Sequence, residues 1–135
     1  MSPKMLLRII IIAQWLMIFI TVTAVFMTDQ YLPTELKTYL ATQDEMPLTA
    51  TDWVFLITFG LSVISSIGMF FFWRLARDIY LVSSVSLILL VPHLGPTVES
   101  GIVTMFDGLD MLLCGVVISL AYFSEIKNEF NSSHN

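Results

Sequence analysis

A chain of 135 residues with a mean hydropathy of +0.82, in which 56% of the residues are hydrophobic, has the composition of a single integral membrane domain. Its formal net charge of −5, with only six basic residues scattered along the sequence, excludes the basic surface of a nucleic-acid-binding protein. The lone cysteine, Cys114, excludes an intramolecular disulfide and a CxxC redox or zinc motif, and we expect no metal and no cofactor.

The first apolar segment covers about residues 9–27 and follows two basic residues, Lys4 and Arg8. Its roughly 19 residues are enough to cross about 30 Å of hydrocarbon as a helix. A cleavable signal peptide is the alternative, because the start is basic and residues 22–24 resemble a cleavage site. The apolar run continues beyond that point to Met27, so we predict a retained membrane helix.

The polar, acidic segment that follows contains a short predicted helix. Pro33 is well placed at its start, with Glu35 in the first turn, and the helix would extend to about Ala41. Apolar side chains recur along it, so it would be amphipathic and would lie on the membrane or against the bundle. These side chains are Tyr31, Leu32, Leu36, Tyr39 and Leu40.

The second apolar segment, about residues 53–73, has a tryptophan at each end, where interfacial rings are favoured. Small residues within this segment would let a neighbouring helix approach closely, so we assign them to helix packing. They are Gly60, Ser62, Ser66 and Gly68.

The third and fourth apolar segments cover about residues 76–95 and 101–123. The third is short, and Pro92 and Pro96 should kink and then end it. The fourth leads into a polar tail, residues 124–135, which we expect to be frayed. With the first two segments, these predict an all-α polytopic transmembrane four-helix bundle that has a short amphipathic helix in its first extracytoplasmic loop.

The distribution of basic residues predicts the orientation of this bundle. Five of the six lie on one side of the four spans: Lys4, Arg8, Arg74, Arg77 and Lys127. Because basic residues favour the cytoplasmic side, we predict that both termini are cytoplasmic.

Two carboxylates in the fourth span, Asp107 and Asp110, form the chemically most suggestive pattern in the sequence. They are three residues apart and therefore lie on nearly one face of a helix. Measured from Gly101, Asp107 would lie about 9 Å and Asp110 about 13 Å along the helix axis, which places Asp110 well inside the hydrocarbon. His93 and Glu99, from the preceding outer turn, could join them in a polar cluster.

Three interpretations of this candidate polar or ion site remain open. The first is a proton or cation site, because oxygen ligands suit hard cations and an isolated carboxylate costs roughly 2.5–3.5 kcal/mol at mid-membrane. The second is a span that begins near Asp110 or Met111, which leaves both carboxylates at the wet interface of a thinned bilayer. The third is a structural contact between an aspartate and serines of the second or third span.

Three short motifs resemble a pattern found in small four-span bacterial inner-membrane proteins. They are residues 94–101 (LGPTVESG), residues 121–124 (AYFS), and residues 73–77 (WRLAR) with Tyr80. The resemblance covers most of the chain from Trp53 onward. It implies a location in the bacterial inner (cytoplasmic) membrane and implies no particular activity.

Two functions are compatible with these patterns. We expect a non-enzymatic membrane protein that packs with a membrane partner or with copies of itself, because Gly115 and Ser119 have the small-xxx-small spacing of packed helices. The alternative is a subunit of an oligomeric proton or cation transporter that uses Asp107 and Asp110. An enzyme is not favoured, because the sequence has no HExxH motif, no histidine-rich set and no phosphate-binding glycine loop. The expected partners are the lipid bilayer and a second copy or another membrane protein, without nucleic acid.

Overall fold

The fold was analysed in a computed structural model that describes residues 2–28, 33–44, 47–94 and 100–132. Of the described residues, 89% are helical and none belongs to a strand. In chain order the helices are α1 (Pro3–Thr28), α2 (Thr34–Asp44), α3 (Ala50–Phe70), α4 (Arg74–Leu90), α5 (Gly101–Phe123) and α6 (Lys127–Ser132), with a 3₁₀ turn (Val91–His93) after α4. The predicted all-α four-helix bundle is confirmed, and α2 is the short helix predicted in the first loop.

Four helical segments are long and apolar enough to cross a membrane. They are Pro3–Met27, Ala50–Phe70, Arg74–His93 and Gly101–Phe123. By the length and composition of these helices, the chain is a multi-pass membrane protein. The described side chains of α2 are mostly exposed.

Local hydrogen bonds fix where the spans begin. At the start of α3, Thr49 and Asp52 form a capping box, in which the Thr49 hydroxyl accepts from the Asp52 N–H and the Asp52 carboxylate accepts from the Thr49 N–H. At the start of α5, the Ser100 hydroxyl accepts from the Val103 N–H at 3.3 Å. These caps satisfy backbone donors that a helix end would otherwise leave unpaired.

The turn between α3 and α4 is a Schellman motif built on a phenylalanine. Phe72 adopts a left-handed conformation with φ 60°, and the Trp73 N–H donates to the Gly68 carbonyl at 3.0 Å. A glycine is usual at such a position, since a left-handed residue with a side chain costs about 1–2 kcal/mol. The Phe72 side chain is buried, and its ring packs edge-to-face against Phe130 at 5.4 Å between centroids.

The start of α1, the α3–α4 turn and the end of α5 meet at one end of the bundle, which we name the basic end. It carries Lys4, Arg8, Arg74, Arg77 and Lys127. The helices form two antiparallel pairs, in which α3 packs along α4 and α1 packs along α5. The two pairs contact each other at far fewer positions. The largest fully buried side chains are Leu7, Met69, Tyr80, Val117, Ile126 and Phe130. Most of this core lies at the basic end, where the two pairs come together.

The C-terminal segment differs from the frayed polar tail expected from the sequence. Residues 127–132 form α6, and Ile126 and Phe130 are fully buried in the core. An ion pair of 2.7 Å between Lys4 and Glu129 also ties α6 to the start of α1. The expectation failed because Ile126, just before α6, and Phe130, within it, are both apolar and are buried together even though the segment around them is polar. Residues 133–135 lie outside the described part of the chain.

The small residues assigned to packing fall into two groups. Gly68 and Ser66 are buried at contacts with neighbouring helices. In contrast, a Cβ at Gly60 or Gly115 would contact no described residue beyond its own stretch of helix. Ser62 is half-buried, and Ser119 is exposed. Packing of Gly115 and Ser119 against a second molecule therefore stays a prediction.

The tight α3–α4 contact at Gly68 yields a testable prediction. A Cβ at this position would lie 2.5 Å from the Cβ of Ala76, so Gly68→Ala should destabilise the bundle by about 1–3 kcal/mol. Gly60→Ala is the matched control, because the space around Gly60 is open. Thermal unfolding in one detergent measures the difference, and equal Tm values for the two variants would contradict the close contact.

Candidate functional site

A cavity of about 580 Å³ lies between the two helix pairs. Residues of α1, α3, α4 and α5 line it, from Ser66 and Ile118 on the side of the basic end to Val22 and Val91 toward the other end. The cavity exists because the helix pairs touch closely only at the basic end and separate beyond it. Its volume is in the range of small-molecule sites, which often form between helices of a bundle.

Asp110 places a carboxylate at this cavity, near the middle of α5. It lies about 13 Å from the start of that helix, at a depth where charge is costly. The residue is half-buried, and its Oδ1 atom is buried without a hydrogen-bond partner among the described residues. A hydrogen-bond acceptor in this state costs about 1–3 kcal/mol, and more when it is ionised.

A buried hydrogen bond between α1 and α4 lies beside Asp110. The Tyr80 hydroxyl donates to Oε1 of Gln14 at 2.8 Å, and the two residues are only 1% and 6% exposed. The side-chain carbonyl of Gln14 accepts this bond, and its NH₂ group remains as a donor. The Gln14 side chain also interacts with the Asp110 carboxyl. The Cys114 thiol interacts with Tyr80 from the next turn of α5. Three helices thus contribute to one polar cluster.

Aromatic rings form much of the remaining wall of the cavity. They are Trp15, Phe19, Phe55, Phe59 and Tyr80. Phe55 and Phe59 are nearly parallel, with ring centroids 6.5 Å apart. Aromatic faces carry negative electrostatic potential and attract cations. The cavity therefore combines an apolar body with one carboxylate and several ring faces.

Trp15 and Ser66 close the gap between α1 and α3. The indole N–H of Trp15 donates to the Ser66 hydroxyl at 3.0 Å, and that hydroxyl donates to the Val63 carbonyl at 2.7 Å. Both residues line the central cavity on one side and an apolar groove of about 450 Å³ on the other. A single hydrogen-bonded pair thus separates the two spaces at this position.

The structure brings two of the four predicted site residues together. Asp107 is half-buried and interacts with Asp110, which lies one turn away on α5. His93 is exposed at the end of the 3₁₀ turn, and Glu99 lies outside the described residues. Within the described ranges, no group of three or more His, Cys, Asp or Glu side chains is placed to hold a metal ion.

Sequence reasoning missed Gln14 and Tyr80 as members of the site. A signal for Gln14 was present, since it is the polar residue inside the apolar run of residues 9–20. Such a residue is expensive in lipid unless it faces a partner. Its partner could not be identified, because hydropathy does not tell which helices are neighbours.

Comparison with known proteins adds no identity, since no protein-family model, curated protein or solved structure matches the chain.

Proposed function

We propose that this multi-pass membrane protein is a non-enzymatic binding protein for a small lipophilic cation, which occupies the cavity between the helix pairs. The observation that carries the proposal is the buried Oδ1 atom of Asp110, which has no hydrogen-bond partner among the described residues and lies at an apolar cavity. A positive charge on the ligand would compensate the carboxylate.

The energetics favour a cation over a neutral apolar molecule. An isolated carboxylate at mid-membrane costs roughly 2.5–3.5 kcal/mol, and a cationic ligand offsets that cost by pairing with it. Ring faces such as those of Trp15 and Tyr80 add about 0.5–2 kcal/mol for a cation close to them. The rest of the apolar wall suits the body of a lipophilic molecule.

Protons compete with such a ligand for the same carboxylate. When Asp110 takes up a proton it becomes neutral, so the affinity for a cation should fall as the pH falls. The other titratable groups that interact with Asp110 or its neighbours are Asp107 and Cys114 on α5 and Tyr80 on α4. None of them is a cation, so the described surroundings of Asp110 favour a positively charged guest.

Tetraphenylphosphonium is a suitable probe, because it is a permanent cation with an apolar body. The purified protein should bind it, and Asp110→Asn should weaken binding at least tenfold, which corresponds to about 1.4 kcal/mol of lost pairing. Glu35→Gln, a change of an exposed carboxylate on α2, should leave the affinity unchanged. Isothermal titration calorimetry in one detergent measures the affinity of all three proteins for tetraphenylphosphonium.

Acidification provides an independent check of the same site. Binding by the unmodified protein should weaken as the pH is lowered, whereas the residual binding of Asp110→Asn should be insensitive to pH. The proposal fails if unmodified protein and Asp110→Asn bind the probe equally, provided that both have the same helix content and a comparable Tm.

A second candidate function, transport, is favoured by the relation between Asp107 and Asp110. Asp107 lies one turn nearer the end of the bundle where α5 begins. The two interacting carboxylates therefore offer two successive positions for a cation between that end and the cavity. In liposomes, oligomers of the protein should then move protons or a lipophilic cation, and Asp110→Asn should abolish the flux. A flux that persists in Asp110→Asn would reject this role.

We infer an orientation with both termini in the cytoplasm and a location in a bacterial inner membrane. The support is that five basic residues share the basic end, while the sequence resemblance points to the bacterial membrane. In a Cys114→Ser background, Asn128→Cys should react with a membrane-impermeant maleimide only after permeabilisation. Ala41→Cys on α2 should react in intact cells. The reverse labelling pattern would show that both termini lie on the opposite side of the membrane and would contradict the inferred orientation.

A further inference from the structure

Another cavity among the described residues is an apolar groove along α1 and α3. Its wall is formed by Ile11, Ile12, Trp15, Leu16, Ile67 and Phe70, together with Ser66. From Ile11 to Leu16 the groove extends about 8 Å along α1, which is enough for the first part of an acyl chain. Its volume is about 450 Å³.

Arg8 places a positive charge at the end of this groove. Its guanidinium lies 5.0 Å from the centre of the Phe70 ring, and its Nε donates to the Phe70 carbonyl at 3.3 Å. It also lies 5.2 Å from the centre of the Phe72 ring. Since Phe70 is a wall of the groove, these contacts hold Arg8 next to the groove at the basic end.

The Arg8 side chain is exposed and forms no ion pair with a described carboxylate. No described carboxylate lies within 4 Å of it, whereas Lys4 pairs with Glu129 and Arg77 pairs with Asp78. Arg8 lies about 8 Å along α1 from the helix start, which is near the depth where lipid headgroups meet acyl chains. Basic side chains at this depth extend toward the headgroups.

We propose that this groove is a binding site for an anionic phospholipid, whose phosphate pairs with Arg8 while the upper part of one acyl chain lies between α1 and α3. A second protein copy would cover the apolar wall and would then keep both brominated lipids of the test below away from Trp15. A zwitterionic lipid would fill the groove but would carry no net negative charge to balance Arg8. An anionic lipid supplies both an acyl chain for the groove and a negative charge for Arg8. The proposal does not rest on the cation site at Asp110, although Trp15 and Ser66 line both spaces.

Quenching of Trp15 fluorescence tests the site, because this indole forms part of the groove wall. In a Trp53→Phe, Trp73→Phe background, Trp15 is the remaining tryptophan. The protein is placed in bilayers that contain phosphatidylglycerol or phosphatidylcholine with the same brominated acyl chains. Brominated phosphatidylglycerol should quench Trp15 at about fivefold lower mole fraction, as expected for one interfacial basic residue.

Arg8→Gln should remove this preference, so that the two lipids quench alike. The matched control is Arg74→Gln, a change of an exposed arginine at the same end, and it should keep the preference, because the hydrogen bond and ring contact to Phe70 at the groove are made by Arg8. Equal quenching by the two lipids in the parent protein overturns the proposal, and this comparison does not depend on whether Arg8→Gln folds. An undiminished preference in folded Arg8→Gln overturns it as well.

Discussion

Closure of the basic end is the constraint on which the rest of the structure depends. Two arginines lie against aromatic rings there: Arg8 against Phe70 and Phe72, and Arg77 against Tyr122 and Phe130. Each such contact contributes about 0.5–2 kcal/mol, with the larger values where water is excluded. These contacts hold the two helix pairs together at the basic end. The pairs can therefore lie farther apart along the rest of their length while the bundle stays assembled. The central cavity is the space created by this separation.

Polar groups inside the bundle are connected mainly between helices that belong to different pairs. Tyr80 on α4 reaches Gln14 on α1, Trp15 on α1 reaches Ser66 on α3, and the Tyr122 hydroxyl on α5 donates to Asp78 on α4 at 2.6 Å. Because lipid offers no competing hydrogen-bond partners, each of these bonds stabilises the association of the two helix pairs. Asp110 departs from this pattern, because its Oδ1 atom has no such partner among the described residues.

The sequence was sufficient to predict the helical class, because hydropathy, helix length and capping residues are local properties. Asp110 could also be recognised, since a carboxylate within a long apolar helix is conspicuous on its own. Its neighbours Gln14 and Tyr80 could not, because their proximity depends on how α1, α4 and α5 are arranged in space. The same limit applies to the small residues: Gly68 and Gly60 look alike in sequence, yet only the first faces another helix closely among the described residues.

The left-handed Phe72 links the α3–α4 turn to α6. A glycine adopts this left-handed backbone conformation at no steric cost. For Phe72 the cost is offset by burial of its ring against Phe130. Phe130 belongs to a segment that leaves the ribosome after all four spanning helices have been made. Until it arrives, the hairpin of α3 and α4 lacks part of the support for its turn. Full support of the α3–α4 turn therefore requires the C-terminal segment.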